Sequence, residues 1–82
     1  MLTPAEELLA AVKEHATEDV SFDFVKQSGG LAILDVGAWR VRYDSAEEEW
    51  IESCRPVHRE NIHASASSAV YSAFLRARGK QL

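Results

Sequence analysis

The spacing of apolar residues changes twice along this chain, and this change constrains the fold more than any other feature. Apolar residues recur first every three or four positions, then every second position, and finally every three or four positions again. The outer patterns predict amphipathic helices, and the middle pattern predicts strands that bury one face. The sequence therefore predicts an α+β two-layer sandwich of a helix, a three- or four-stranded antiparallel sheet and a helix, with both helices on one sheet face.

Both helices have recognisable ends. Thr3 and Glu6 form a Thr-x-x-Glu capping box, and the proline between them occupies the first helical position, where a missing N–H costs nothing. We expect the first helix to cover residues 4–17. In the last segment, Ser65 is expected to cap a helix that ends near Gly79.

The segment between the helices predicts a meander. Alternation from Val20 predicts a first strand, residues 31–36 predict a second, and glycines between them predict a turn over residues 27–30. Beyond Gly37 the alternation continues through Tyr43. This pattern predicts either a third strand or one long strand that a bulge bends at the glycine.

Two later segments are less regular. Residues 45–54 fit a helix with a Ser45–Glu48 capping box, or a strand that pairs back across a turn. We favour the strand, because a sheet made only of the preceding hairpin would be marginally stable. After Pro56, residues 57–64 show no alternation, and we expect a connecting loop there.

The chain is small and its bulky core is thin. It has 82 residues and a mass of 9.1 kDa, which predicts one domain over residues 1–82. Alanine contributes 12 of the hydrophobic residues, so few large side chains remain for the interior. Small domains bury a low fraction of their surface, and a partner or a second copy is expected to add stability. Sheet edges that must be paired or covered are consistent with a homodimer.

Cysteine usage and hydropathy predict the location. Cys54 is the single cysteine and cannot form an internal disulfide, which predicts a reducing cytoplasmic environment. The first residues lack the basic and apolar regions of a signal peptide, and no apolar stretch has the length of a membrane span. We therefore expect no membrane partner.

Charge is distributed unevenly along the chain. The net charge is −4 with a pI near 5.2, which disfavours a nucleic-acid-binding protein with a generally basic surface. Residues 1–54 carry a formal charge of −8 and residues 55–82 carry +4. The sequence thus predicts an acidic body with a basic tail, and the two parts would attract different partners.

The densest acidic segment surrounds a tryptophan. The predicted partner-binding residues are Asp44, Glu47, Glu48, Glu49, Trp50 and Glu52. An ordinary solvated turn explains the same charges, but an aromatic residue enclosed by carboxylates also fits a lysine- and arginine-lined protein surface. By analogy with compact acidic proteins of phages and mobile elements, we expect a non-enzymatic inhibitor or adaptor. Its partner would be a basic, nucleic-acid-handling protein, with no direct contact to nucleic acid.

A first alternative is a nucleic-acid-binding module. Its candidate basic site consists of Arg55, Arg59, Arg76, Arg78 and Lys80. Double-stranded RNA-binding domains share the helix–strands–helix order, but they grip phosphates with lysines near the start of the last helix. This chain has serines there, and its basic residues lie at the other end of that helix. We therefore assign no family.

A second alternative is a small cysteine-dependent enzyme with Cys54 as nucleophile and His58 as base. The same residues with His63 give a Cys-x3-His-x4-His spacing that resembles part of a zinc site, but a structural zinc needs four ligands. Neither constellation is complete. The sequence therefore predicts no catalytic residues, no metal and no cofactor.

Overall fold

The computed structural model describes residues 1–79 and confirms the predicted α+β architecture, with five strands in the sheet. In chain order the elements are the helix α1 (Pro4–His15), the strands β1 (Phe22–Ser28), β2 (Leu31–Val36), β3 (Trp39–Asp44) and β4 (Glu49–Cys54), a 3-10 turn (Arg55–Val57), the strand β5 (Arg59–His63) and the helix α2 (Ala66–Gly79).

The sheet is an antiparallel meander in the order β1-β2-β3-β4-β5. Because successive strands reverse direction, the connections gather at two ends of the sheet. We call the upper end the one that holds the turns at residues 29–30 and 45–48 and the last residue of β5. The lower end holds residues 37–38 and 55–58.

The capping box fixes the start of α1. The Thr3 hydroxyl accepts a hydrogen bond from the Glu6 backbone N–H at 3.2 Å, and the Glu6 carboxylate accepts one from the Thr3 N–H at 2.9 Å. The Ala5 N–H also donates to the Gly29 carbonyl at 3.0 Å, which ties the helix to the upper end of the sheet. The helix ends at His15, two residues before the predicted end, because Ala16 is already extended.

Both helices pack on the same face of the sheet. α1 contacts β1 and β2, α2 contacts β3, β4 and β5, and the helices contact each other. The largest fully buried side chains between these layers are Trp39, Leu8, Leu34, Glu52, Val36, Val41, Val70 and Cys54. Alanines of α1 and α2 fill much of the helix interface, as the composition predicts. No element of residues 1–79 covers the opposite side of the sheet, which we call the open face.

The structure decides between the two predictions for Gly37. It lies in a turn between two separate strands, with a φ of 59°, a left-handed conformation that glycine adopts without strain. A β-carbon at Gly37 would also lie 3.3 Å from that of Ala77. The bulge lies instead in β1, between Phe24 and Lys26.

The predicted loop over residues 57–64 is wrong, since Arg59–His63 forms β5 and pairs with β4. The prediction failed because Arg59, Asn61 and His63, which share one face of this strand, are all polar and give no hydrophobic alternation. The Asn61 amide donates a hydrogen bond to the buried Glu52 carboxylate, and His63 Nε2 lies 3.0 Å from the same carboxylate. The strand preferred for residues 45–54 is correct from Glu49 onward, after a turn.

The two helices are too short, and too poor in continuous apolar sequence, for either to cross a membrane within the described part of the chain.

Candidate functional site

The β3–β4 connection presents four carboxylates at the upper end of the sheet. We call Asp44, Glu47, Glu48 and Glu49 the acidic turn. Glu47 and Glu48 are exposed, whereas Asp44 and Glu49 are half-buried. The Asp44 carboxylate accepts a hydrogen bond from the Ala46 N–H at 3.0 Å and so shapes the turn.

The acidic turn concentrates charge in an unfavourable way. Asp44 and Glu49 are direct cross-strand partners at the end of the hairpin. Like charges at such positions destabilise a sheet, by about 0.2–1 kcal/mol. Within residues 1–79, none of the four carboxylates forms an ion pair. The turn therefore keeps an uncompensated negative charge in solvent.

Two of the six predicted partner-binding residues do not lie on this surface, which corrects the sequence-based set. Trp50 is 2% exposed and points towards the helices, where its ring lies 5.2 Å from that of Tyr43. Glu52 is 0% exposed and lies on the same inward face. Two-residue alternation in β4 explains both placements, since Trp50, Glu52 and Cys54 share one face.

Glu52 is the centre of a buried polar network between the sheet and α2. Its Oε1 atom accepts hydrogen bonds from the Ser72 hydroxyl at 2.9 Å and the Asn61 amide at 3.3 Å, and it lies 3.0 Å from His63 Nε2. Its Oε2 atom accepts no hydrogen bond, but it lies 3.4 Å from Arg76 Nε. The Arg76 N–H points to Ser72 instead, so its attraction to Oε2 is electrostatic.

His63 links this network to the surface. Its Nε2 atom faces Glu52, and its Nδ1 atom lies 2.8 Å from the Ser68 hydroxyl near the start of α2. When the imidazole is neutral, Nε2–H donates to the carboxylate and Nδ1 accepts from Ser68. Sequence reasoning missed this network, and the signal that could have found it is the position of Glu52 between two inward core residues of a strand.

The arginines of the alternative basic site have different surroundings. Arg76 lies beside buried Glu52, and its guanidinium carbon is 5.3 Å from the centre of the Trp39 ring. Arg55 lies at the lower end, 3.8 Å from Asp35. Arg59 and Arg78 are exposed. The remaining predicted member, Lys80, lies outside the described residues.

The open face holds a second group of charges, and these are paired. Arg40 donates two hydrogen bonds to Asp35, at 2.7 and 3.2 Å, and Arg42 lies 3.6 Å from Glu60. The hydrogen bond from Arg40 lowers the pKa of Asp35, against the opposing effect of partial burial, and the same contact raises the pKa of Arg40. This face therefore differs from the acidic turn, where the charges are unpaired.

The cysteine and histidines of the second alternative do not come together. The Cys54 thiol is completely buried in the core, whereas His58 is exposed on the turn that follows β4. A buried thiol has no access to a substrate, so this structure does not support Cys54 as a nucleophile. Among residues 1–79, no three His, Cys, Asp or Glu side chains are grouped so that they could hold a metal ion.

The surface of the described residues includes two clefts near the helices and the lower end of the sheet. One, of about 260 Å³, lies between the helices and is lined by Leu2, Glu7, Ala10, Ala11, Glu14, Ser65, Ala66 and Ser67. The second, of about 290 Å³, lies at the lower end and is lined by Ser21, Phe22, Asp23, Asp35 and Gly37. Neither cleft is lined by the acidic turn or by the Glu52 network.

Comparisons with protein-family models, with curated proteins and with solved structures find no match to this chain.

Proposed function

We propose that this protein is a non-enzymatic protein-binding module, an inhibitor or adaptor, whose acidic turn docks on a basic protein surface. The partner we propose is a cytoplasmic protein that handles nucleic acid, because its phosphate-binding surface is lined by lysine and arginine. Clustered carboxylates can occupy such a surface in place of phosphates.

The observation that carries this proposal is the uncompensated charge of the acidic turn. Three arginines lie beside other carboxylates of the chain: Arg76 lies beside Glu52, Arg55 beside Asp35, and Arg42 beside Glu60. A like-charged cross-strand pair that destabilises the free protein is explained if a partner later supplies the positive charge.

The nucleic-acid alternative has weaker support. Phosphate binding needs several free cations on one surface, and two of the predicted five lie within 4 Å of a carboxylate of the chain itself. We expect no retardation of DNA or RNA in an electrophoretic shift assay at low salt. Retardation that Arg78→Gln weakens would favour the alternative.

The test compares two variants with the same change of net charge. In the first, Glu47, Glu48 and Glu49 become glutamine. In the control, three exposed acids near the start of β1 change to their amides, Glu18→Gln, Asp19→Asn and Asp23→Asn. A pull-down from the native host identifies the basic partner, and titration calorimetry then measures its affinity for the native protein and for both variants.

We expect the acidic-turn variant to bind at least about tenfold more weakly, which is about 1.4 kcal/mol. The control should lose less than about threefold, and the native affinity should fall as salt rises, because exposed charges are screened. Equal losses in both variants, or an affinity that does not depend on salt, would show that the acidic turn is not the docking site.

A measurement on the free protein tests the underlying electrostatics. Glu49→Gln removes one member of the Asp44–Glu49 pair and should stabilise the fold by about 0.2–1 kcal/mol. Urea unfolding at low salt measures this change. Destabilisation would mean that Glu49 has a favourable partner and that the turn is not electrostatically strained.

A further inference from the structure

The two edges of the sheet differ in their ability to pair with another strand. Both β1 and β5 have a neighbour on one side only. β1 carries a bulge between Phe24 and Lys26, and Lys26 lies on the open face opposite Ile33 of β2. Bulges and lysines are the usual means by which proteins prevent edge-to-edge pairing. β5 pairs with β4 over all five residues with no shift of register.

β5 also exposes an apolar side chain. Ile62 is 55% exposed on the open face. It ends a row of directly paired residues that crosses four strands, from Ile33 through Arg42 and Ile51 to Ile62. Ile51 in this row is 5% exposed, because its neighbours cover it. The apolar part of the row therefore reaches the edge of the sheet and stops there uncovered.

We propose that residues 61–63 of β5 pair with the same residues of a second copy of this chain, antiparallel and about a two-fold axis at Ile62, so that two sheets become one. In antiparallel pairing, directly opposed side chains lie on the same face of the sheet. A two-fold axis must therefore place one residue opposite its own copy, and it cannot lie between two residues. An axis at Glu60 would place two like charges opposite each other, and one at Asn61 would place Ile62 against Glu60. An axis at Ile62 pairs the two exposed isoleucines.

The distribution of charge favours a second copy of this chain as the partner of the β5 edge. Antiparallel pairing about a two-fold axis places the upper end of one copy beside the lower end of the other. The upper end holds the acidic turn, and the lower end beside β5 holds Arg59 and Arg55, of which Arg55 lies 3.8 Å from Asp35 of its own chain. The edge itself carries no strong net charge, because Arg59 and Glu60 are adjacent. The net charge of −4 on each copy opposes association at long range, and salt screens this repulsion.

This inference does not rest on the proposed function, because its contact surface is the β5 edge and it needs no other protein. It does place the acidic turn of each copy near the lower end of the other. Sedimentation equilibrium of the full chain tests it directly. The mass should rise from 9.1 kDa towards twice that value as concentration increases to about 1 mM, which detects association free energies as weak as about −4 kcal/mol. Ile62→Lys should raise the dissociation constant at least about tenfold, a loss of about 1.4 kcal/mol.

Leu31→Lys provides the matched control. Leu31 is 61% exposed, is also apolar and lies on β2 away from the β5 edge, so this variant should dimerise like the native chain. Far-UV circular dichroism checks that both variants are folded. A native mass that stays at 9.1 kDa over the whole range, or equal weakening by both lysines, would overturn the proposal.

Cross-linking tests the register. In Ile62→Cys the two new thiols would lie on directly opposed residues, whose β-carbons are about 4.5–5.5 Å apart, and a disulfide should form under mild oxidation. In Glu60→Cys the two thiols would be about 14 Å apart along the strands, and none should form. Native Cys54 is buried and should not react. Cross-linking through residue 60 and not through residue 62 would overturn the register.

Discussion

Glu52→Gln is the perturbation that most directly tests how this fold is held together. Glutamine keeps the shape of the side chain and one carbonyl oxygen, but it removes the negative charge and adds two N–H donors. The groups around Glu52 are the Ser72 hydroxyl, the Asn61 amide, the His63 imidazole and the Arg76 guanidinium. In the native fold the Ser72, Asn61 and His63 groups face a carboxylate acceptor, so the new N–H donors would require the Ser72 hydroxyl or the His63 imidazole to reverse its hydrogen bond.

The magnitude follows from the number of contacts. A hydrogen bond to a charged group contributes about 1.5–3 kcal/mol and a neutral one about 0.5–1.5 kcal/mol, so each bond should lose about 1 kcal/mol. Three bonds to Oε1 then predict a loss of about 3 kcal/mol. At the scale of about 4–8 °C per kcal/mol for a domain of this size, the melting temperature should fall by about 12–24 °C.

Urea unfolding followed by tryptophan fluorescence is a suitable assay. Trp39 and Trp50 are both almost completely buried, so unfolding exposes both reporters. Glu47→Gln is the matched control, because it makes the same chemical change at an exposed position and should alter the free energy of unfolding by less than about 0.5 kcal/mol.

A double-mutant cycle assigns part of the loss to the guanidinium. Arg76→Met removes the charge near Oε2 and keeps much of the side-chain stem. We expect a coupling energy of about 0.5–3 kcal/mol between Glu52 and Arg76, the range found for residues in one network. If Glu52→Gln costs no more than Glu47→Gln, the carboxylate is not a structural centre and the reasoning is refuted.

Three further perturbations test other parts of the structure. Gly37→Ala should destabilise the fold by about 1–2 kcal/mol in thermal melts, because the φ of Gly37 is positive. Gly30→Ala is the control and should cost less, because Gly30 has open space around it and no positive φ. Equal destabilisation by both variants would contradict this reasoning. The Asp35–Arg40 contact lowers the pKa of Asp35, so it stabilises the fold above the ordinary Asp pKa, and this stabilisation is lost as the pH falls through the folded-state pKa. Asp35→Asn should therefore flatten the decline of the urea midpoint below about pH 4, and an unchanged slope would argue against the pair. The Cys54 thiol should react with Ellman's reagent only after unfolding, since it is buried, and rapid reaction in the native state would restore the cysteine-enzyme hypothesis.

The fold class could be predicted because local signals repeat in the sequence. The Thr3–Glu6 capping box, the period-two alternation and the glycine turns each depend on neighbouring residues, and the structure places them as expected. β5 could not be predicted in the same way. Its inward side chains, Asn61 and His63, are polar because they contact Glu52, which comes from another strand.

The candidate site shows the same division. Sequence reasoning grouped Glu47, Glu48 and Glu49 because they are consecutive, and in the structure Glu47 and Glu48 are exposed and Glu49 is half-buried. It also included Trp50 and Glu52, because a linear cluster of charge does not reveal which side chains point inward. Trp50 and Glu52 are buried because β4 pairs between β3 and β5 in this register and α2 packs on the face that both side chains share.

The sequence by itself determined the order of helix, meander and helix, because hydrophobic period and turn chemistry are local properties. It also determined that the first 54 residues are acidic and the rest basic. The tertiary structure decided which charges remain free. Glu52 and Arg76 are far apart in the chain, and the fold brings them within 3.4 Å of each other. Among residues 1–79 the acidic turn stays unpaired, because Arg55 and Arg76 lie beside Asp35 and Glu52 instead.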